Sequence, residues 1–318
     1  LNSIAFLDIT RNQQIFFTKK FNILFLYLKP RKTNSFSGIL GFQNDPETNK
    51  LMLTGDISLS LNNVFKQGEW IRLKWNQFQA QSQRLNLIIG FPYIFKSPIG
   101  IEGSIKLLKQ DTTYLDTRFE AGLLFNFGAN SRMAFSIESR NSNTLLINPL
   151  PVSDLNDLSI INYSLSFTHQ GFDYIFNPRK GIGGFIKLSV GNIKTKTDPT
   201  NENPVPDPLQ YQGVADVRYF IPIFRKQTIG LFFKGGGILN SVIYDNEMFR
   251  LGGLNSIRGF NEDAIFANQY AIFSFEYRYL YEKNANLSVF FDGAYVQNIN
   301  SLNINSYPIG FGIGASIE

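Results

Sequence analysis

From residue 35 onward, apolar and polar residues alternate with a period of two, in segments of roughly ten residues. That period sends successive side chains to opposite faces of a β-strand. In 51–62, Leu51, Leu53, Ile57, Leu59 and Leu61 share one face, and Met52, Thr54, Asp56, Ser58, Ser60 and Asn62 share the other. In 113–125, Leu115, Phe119, Ala121, Leu123 and Phe125 oppose Asp116, Arg118, Glu120 and Gly122. In 160–169, Ile161, Tyr163, Leu165 and Phe167 oppose Asn162, Ser164, Ser166 and Thr168. In 271–279, Phe273, Phe275, Tyr277 and Tyr279 oppose Ser274, Glu276 and Arg278, and the last segment sets Ile309, Phe311, Ile313 and Ile317 against Gly310, Gly312, Gly314 and Ser316. Fourteen strands are predicted, near 35–43, 51–62, 69–78, 84–92, 98–108, 113–125, 131–140, 158–169, 182–192, 210–221, 226–236, 267–280, 286–296 and 308–318.

A soluble sandwich also alternates, so the pattern needs a second criterion. Here the polar face carries charge (Asp56, Arg72, Lys74, Arg118, Glu120, Asp216, Arg218), as a wet lumen would. The apolar face is long and uniform, with aromatics near segment ends at Trp70, Phe91, Tyr93, Tyr219 and Tyr281, where bilayer-interface girdles lie. Every second connection is short, and the intervening ones are expected to be longer and polar, notably 141–157, 193–209 and 237–266. Short turns on one rim and long loops on the other is the asymmetry of outer-membrane barrels. The fold class is therefore all-β: a transmembrane antiparallel barrel, with 237–266 on its extracellular side.

Composition agrees. Aromatics make up 15% of the chain and charged residues only 17%, against about 25% in soluble domains. No apolar run is long enough for a transmembrane helix. Cysteine is absent, which excludes disulfides and thiolate metal sites. The net charge of +5 is scattered rather than clustered, so nucleic acid is not an expected partner. No signal peptide opens the chain. Residues 1–34 differ from the rest: Ile15, Phe16 and Phe17, then Phe21 and Ile23 to Leu28, form a dense apolar stretch that suits a strand buried by another element. They read as the last strand or hairpin of a small periplasmic domain.

The candidate chemistry lies in the loop before 267–280. Gly252, Gly253 and Gly259 permit positive φ there, and the segment carries one arginine at its glycine-rich turn, Arg258. Alternation puts Glu276 and Asp292 on the lumen faces of the next two strands, about 4.8 Å apart across a ladder. Paired carboxylates suit the forked donors of arginine better than lysine. The residues alone leave two readings open: a loop folded into the lumen with Arg258 between two acids, or an exposed loop with a solvated arginine. His169, the only histidine, sits at a strand end with no partner for a metal site and no nucleophile elbow, so neither catalysis, metal nor cofactor is expected. Gly235, Gly236 and Gly237 open no phosphate loop and are expected to bend a strand at the rim.

Four segments together resemble the outer-membrane assembly and translocation barrels of the BamA/TamA type, which carry POTRA domains ahead of the barrel. The segment 252-GGLNSIRGF-260 is similar to the family's Val-Arg-Gly-Phe lid-loop motif, with Ile257 in place of valine before Arg258, Gly259 and Phe260. Asp173, Pro178 and Gly181 resemble its Asp-…-Pro-x-x-Gly turn. Glu276, Arg278 and Tyr279 resemble its Glu-x-Arg-Tyr strand, and Phe291, Asp292 and Gly293 resemble the Phe-x-Asp-x-Gly strand that follows, here in the shorter form Phe-Asp-Gly. The resemblance implies a barrel of the 16-strand type over 35–318, of which about fourteen strands fall within this chain, so that the last strands are expected beyond it. It implies that 1–34 is the end of a POTRA-like domain, with the N-terminus periplasmic in a Gram-negative outer membrane. It also implies a loop tip anchored inside the barrel, and a seam strand at 35–43 that Gly38 and Gly41 weaken. The implied role is non-enzymatic: receiving unfolded outer-membrane proteins and inserting them into the bilayer, with accessory periplasmic or lipoprotein subunits as further partners. A passive porin and the translocator barrel of a secreted effector are the alternatives.

Overall fold

A computed structural model describes residues 7–31, 33–44, 51–79, 82–95, 97–128, 130–145, 155–195, 207–302 and 304–317. The described chain begins with an isolated antiparallel hairpin of β1 (Leu7–Phe17) and β2 (Asn22–Pro30). The barrel sheet follows with β3 (Ser35–Asn44), β4 (Leu51–Asn62), β5 (Trp70–Gln79), β6 (Ser82–Phe91) and β7 (Ile99–Gln110). It continues through β8 (Tyr114–Phe127), β9 (Ser131–Thr144), β10 (Leu158–Phe172), β11 (Gly181–Thr195), β12 (Leu209–Phe224) and β13 (Gln227–Leu239). A long loop then carries a small hairpin, β14 (Phe249–Leu251) with β15 (Ile265–Ala267), before the sheet resumes at β16 (Gln269–Glu282) and β17 (Ala285–Gln297). The short β18 (Asn305–Ser306) and β19 (Ile309–Ile317) both pair with β17. Each long strand pairs with its sequence neighbour, so the sheet is an antiparallel meander from β3 to β19.

The two faces are those the alternation predicts. On β10 the outward residues Ile161 and Leu165 are 45% and 52% exposed, whereas the inward Ser164 is 1% exposed. Asp116, Glu138, Arg140, Asn162, Glu276 and Asp292 are buried on the concave face, the lumen. An apolar surface outside and a charged surface inside is stable where the outer solvent is lipid. No helix among the described residues is long and apolar enough to cross a membrane. The core is therefore not a central hydrophobic one. Its buried apolar clusters form where the long loop meets the lumen wall.

Two expectations need correction. Trp70 is not part of an interface girdle: its indole lies in the lumen, in the space a Gly90 side chain would need, with the Arg132 guanidinium 4.5 Å from its ring centroid. It shares the parity of Arg72 and Lys74, and parity outweighs position near a strand end. The rim asymmetry is also less regular than expected, because the connections after β5 and β7 span only 80–81 and 111–113. Asp111, at φ +49°, makes the second of these turns as tight as those on the opposite rim. At Gly235, Gly236 and Gly237 the ladder of β13 with β12 runs through without a bulge. Gly236 leaves room for the edge-to-face pair of Phe249 and Tyr270, whose centroids are 5.1 Å apart.

β1 and β2 leave Phe17, Leu24 and Phe25 exposed in this chain. In β3, Gly38 faces outward with Phe36 and Leu40 while Gly41 faces the lumen opposite Thr54, and the only strand paired with β3 among the described residues is β4.

Candidate functional site: a lid anchored in the lumen

Residues 240–268 turn back into the barrel. Their narrowest segment is shaped by glycines: Gly252, Gly253 and Gly259 have φ of +112°, +83° and +93°. These left-handed conformations cost little only for glycine. At Gly252 a side chain would also collide with the Asn261 carbonyl, so the two limbs of the turn close against each other. The closure is bonded by Gly253 N–H to Phe260 O at 3.0 Å and by Ser256 Oγ to both the N–H and the C=O of Gly252 at 2.7 Å. Ile257 is fully buried with Leu251, Ala267, Ile272 and Val296, and Phe260 packs on the edge of that cluster. The apolar residue before the arginine thus seats the turn on the wall, and Arg258 is delivered beside it.

The structure brings Arg258, Glu276 and Asp292 together. Ser274 of β16 lies opposite Asp292 of β17, and Glu276 lies opposite Phe290, so the two acids are diagonal neighbours on one face. Arg258 Nε and Nη2 donate to the two oxygens of Asp292, at 2.7 and 2.5 Å, and its backbone N–H adds a third bond at 3.1 Å. Its Nη1 donates to Glu276. The guanidinium also lies over the Phe290 ring, 3.7 Å from the centroid. The far side of this assembly is kept open by glycine. A side chain at Gly310 would overlap the Arg258 carbonyl oxygen, and one at Gly312 would press on Phe290.

Arg278 completes the charge balance. Its Nε donates to the other oxygen of Glu276 at 2.6 Å, and its guanidinium stacks near Phe220 and Phe232. Two cations and two anions therefore share one corner of the lumen. The side chain of Asp292 is 0% exposed and that of Arg258 is 18% exposed, so water reaches the pair only from the side of the arginine.

Sequence reasoning does not reach the ties on the opposite wall. Arg84 of β6 pairs with Asp263. Arg250 donates to Gln110 Oε1 at 3.1 Å and to the Tyr114 hydroxyl, and stacks 4.5 Å from the Phe266 centroid. Arg140, held by Asp116 at 2.6 Å, donates to the Asn246 carbonyl at 2.5 Å, and Asn246 Nδ2 donates to Ser142 Oγ at 2.8 Å. Glu247 accepts from Gln210 Nε2 at 2.5 Å and from Tyr244 N–H at 3.1 Å. Burial raises the Glu247 carboxyl above its ordinary range, and the bonds from Gln210 and Tyr244 only partly offset that. The lid thus spans the lumen from β6 to β19, above a cavity of about 370 Å³ lined by Lys106, Arg118, Glu120, Glu138, Lys187 and Phe249. Phe290 could have been found from sequence, since it is a large aromatic on the polar parity of β17.

The turn residues occupy the other rim. Asp173 Oδ1 accepts the N–H groups of Tyr174, Arg179 and Lys180 at 3.0–3.1 Å, and Gly181 takes φ +122°. Pro178 lines a cavity with Phe172, Ile175 and Phe176. His169 Nδ1 lies 2.9 Å from Ser131 Oγ, at the end of β10.

Comparison with known proteins extends the geometry. The Omp85 superfamily domain matches residues 63–318. No curated protein matches the chain. Among solved structures, CdiB from Acinetobacter baumannii is similar with a TM-score of 0.60 at 14% identity, over 100% of this chain and 60% of that one. CdiB from Escherichia coli gives 0.60 at 15% identity, over 99% and 62%. BamA from Haemophilus ducreyi lacking POTRA domains 1–3 gives 0.58 at 16% identity, over 91% and 63%. The chain thus spans about 60% of the length of those structures. At these identities the likeness is one of fold, a β-barrel. With the domain match over most of its length, the chain belongs to the Omp85 superfamily.

Proposed function

We propose that this chain is the barrel of a non-enzymatic outer-membrane assembly or translocation factor whose lid, residues 240–268, is locked into the lumen by Arg258. The short-turn rim is periplasmic and the lid enters from the extracellular side. Unfolded outer-membrane proteins arrive through periplasmic domains and are inserted by strand addition at the β3 edge. The single observation that carries this reading is the four-donor grip of Arg258 on Glu276 and Asp292. A conduit for solutes has no use for a loop tied to both walls of its own lumen, which counts against a passive porin.

The test is Arg258→Glu in the full-length protein. Placing a third carboxylate beside Glu276 and Asp292 expels the lid, and assembly activity should fall while folded barrel remains in the membrane. Full activity in that variant overturns the proposal. Large, steady channels from the unaltered protein in planar bilayers would favour the porin.

A further inference from the structure

A hairpin loop ordinarily touches the strands it joins and their nearest neighbours. Segment 173–180, between β10 and β11, does something else. It reaches past β12, β13 and β16 to the end of β17. Asn177, 6% exposed, donates through Nδ2 to the Ala285 carbonyl at 3.2 Å and accepts at Oδ1 from Asn286 Nδ2 at 3.0 Å. The Tyr174 hydroxyl donates to Asn284 Oδ1 at 2.6 Å, and the Lys283 ammonium lies 5.0 Å from its ring centroid. The segment holds its own shape independently, through the Asp173 carboxylate, the Asp173 N–H to Lys180 O bond at 3.0 Å and the Thr228 hydroxyl on the Arg179 carbonyl at 2.7 Å. It is a stiff strap across the short-turn mouth.

Both ends of that strap lead somewhere. Arg31, just ahead of the barrel, donates to the Tyr174 hydroxyl at 3.1 Å and stacks 4.5 Å from the Phe176 centroid. At the other end, Asn286 shares the lumen face of β17 with Ser288, Phe290 and Asp292, the last of these six residues, or about 20 Å, along one strand. Between strap and lock lies a cavity of about 350 Å³, with Ile175, Phe176 and Pro178 on one side and Glu276, Arg278 and Ser288 on the other. The strap meets β17 through amide and hydroxyl bonds, with Arg31 as the cation that steadies Tyr174 and Phe176, whereas paired carboxylates and guanidinium groups hold the lid, so the strap is the weaker closure. It opens first.

We propose that segment 173–180 is a releasable strap: displacing Arg31 frees it from Asn284, Ala285 and Asn286, and the freed end of β17 loosens the grip of Asp292 on Arg258. Movement of the residues ahead of the barrel is thereby transmitted to the lid. This regulation rests on the lid reading above, but the coupling between strap and lid can be measured without reference to assembly.

The experiment uses the full-length protein in lipid nanodiscs, with amide hydrogen exchange read at the strap (174–180) and at the lid (252–261). Tyr174→Phe combined with Asn177→Ala, and separately the milder Arg31→Gln, should raise exchange at the strap and also raise it several-fold at Arg258. Because the chain has no cysteine, Asn177→Cys with Asn286→Cys provides the converse, a pair joined by a short linker that reductant removes. The joined protein should keep lid exchange low even with Arg31→Gln, and reduction should restore it. Strap exchange that rises while the lid stays unchanged overturns the coupling, as does a joined protein whose lid still loosens. If the strap variants fail to fold, Arg31→Gln and the joined pair decide alone. Coupling by exchange alongside normal assembly by Arg258→Glu would sink the lid reading and leave the strap standing.

Discussion

Replacing Arg258 by glutamine isolates the charge of the lock with little change in bulk. The variant removes three side-chain donors and leaves Asp292, whose side chain is 0% exposed, without its cation. Breaking a buried pair from one side costs about 3–5 kcal/mol. Two features of the structure lower that figure. Glu276 keeps Arg278 at 2.6 Å, and the Arg258 side chain is 18% exposed, so lumen water can reach it. About 2–4 kcal/mol of lid docking should therefore be lost. At about 1.4 kcal/mol per tenfold, the docked-to-released ratio falls between about 30-fold and several hundred-fold. The readout is the backbone N–H of residue 258, bonded to Asp292 Oδ2, whose exchange reports local opening rather than unfolding of the sheet. Arg258→Lys should fall between the two, since it keeps the charge but not the bidentate fork. Adding Asp292→Asn to Arg258→Gln should cost less than the sum of the single changes, because the stranded carboxylate is gone. Protection at residue 258 within twofold of the unaltered protein would refute the reasoning.

Two further predictions follow from the lid's seating. Gly310→Ala places a methyl group on the Arg258 carbonyl while leaving the ladder of β19 with β17 intact, so it should free the lid about as far as a partial loss of the lock. Gly314→Ala, which meets only the flexible Ser288 hydroxyl, should leave lid exchange unchanged. Glu247 carries a pH dependence of defined sign. Its carboxyl is raised in the docked loop by burial, so docking favours the protonated form, and the stabilisation is full below the ordinary glutamate range. It is lost as pH rises through the raised value. Protection at 243–248, taken relative to the intrinsic base-catalysed exchange rate at each pH, should therefore fall as pH rises in the unaltered protein, and Glu247→Gln should flatten that profile.

The strands were legible because a period of two is imposed on every residue of a wall with lipid on one side and water on the other. The register pairs of Ser274 with Asp292 and of Glu276 with Phe290 follow from that same period once neighbouring strands are aligned. Parity also decides Trp70, where proximity to a strand end misleads. Turn lengths were less legible, since a tight hairpin at 111–113 depends on one positive φ at an aspartate that carries no glycine signal. The far-wall ties of Asp263, Arg250 and Asn246 were not legible at all. They depend on the path of a loop without periodicity, and nothing in local sequence relates Arg84 to a residue 179 positions away.

The distribution of those ties has a mechanical consequence. A curved sheet is a single layer thick, held along its hydrogen-bond ladders but with nothing of its own to brace it across the lumen. The lid contacts β6, β8, β9, β12 and β17 from inside, at points spread around the circumference. Each contact acts as a spoke. With these spokes the cross-section is braced from within, so that the shape of the wall rests on the loop as well as on its own hydrogen-bond ladders.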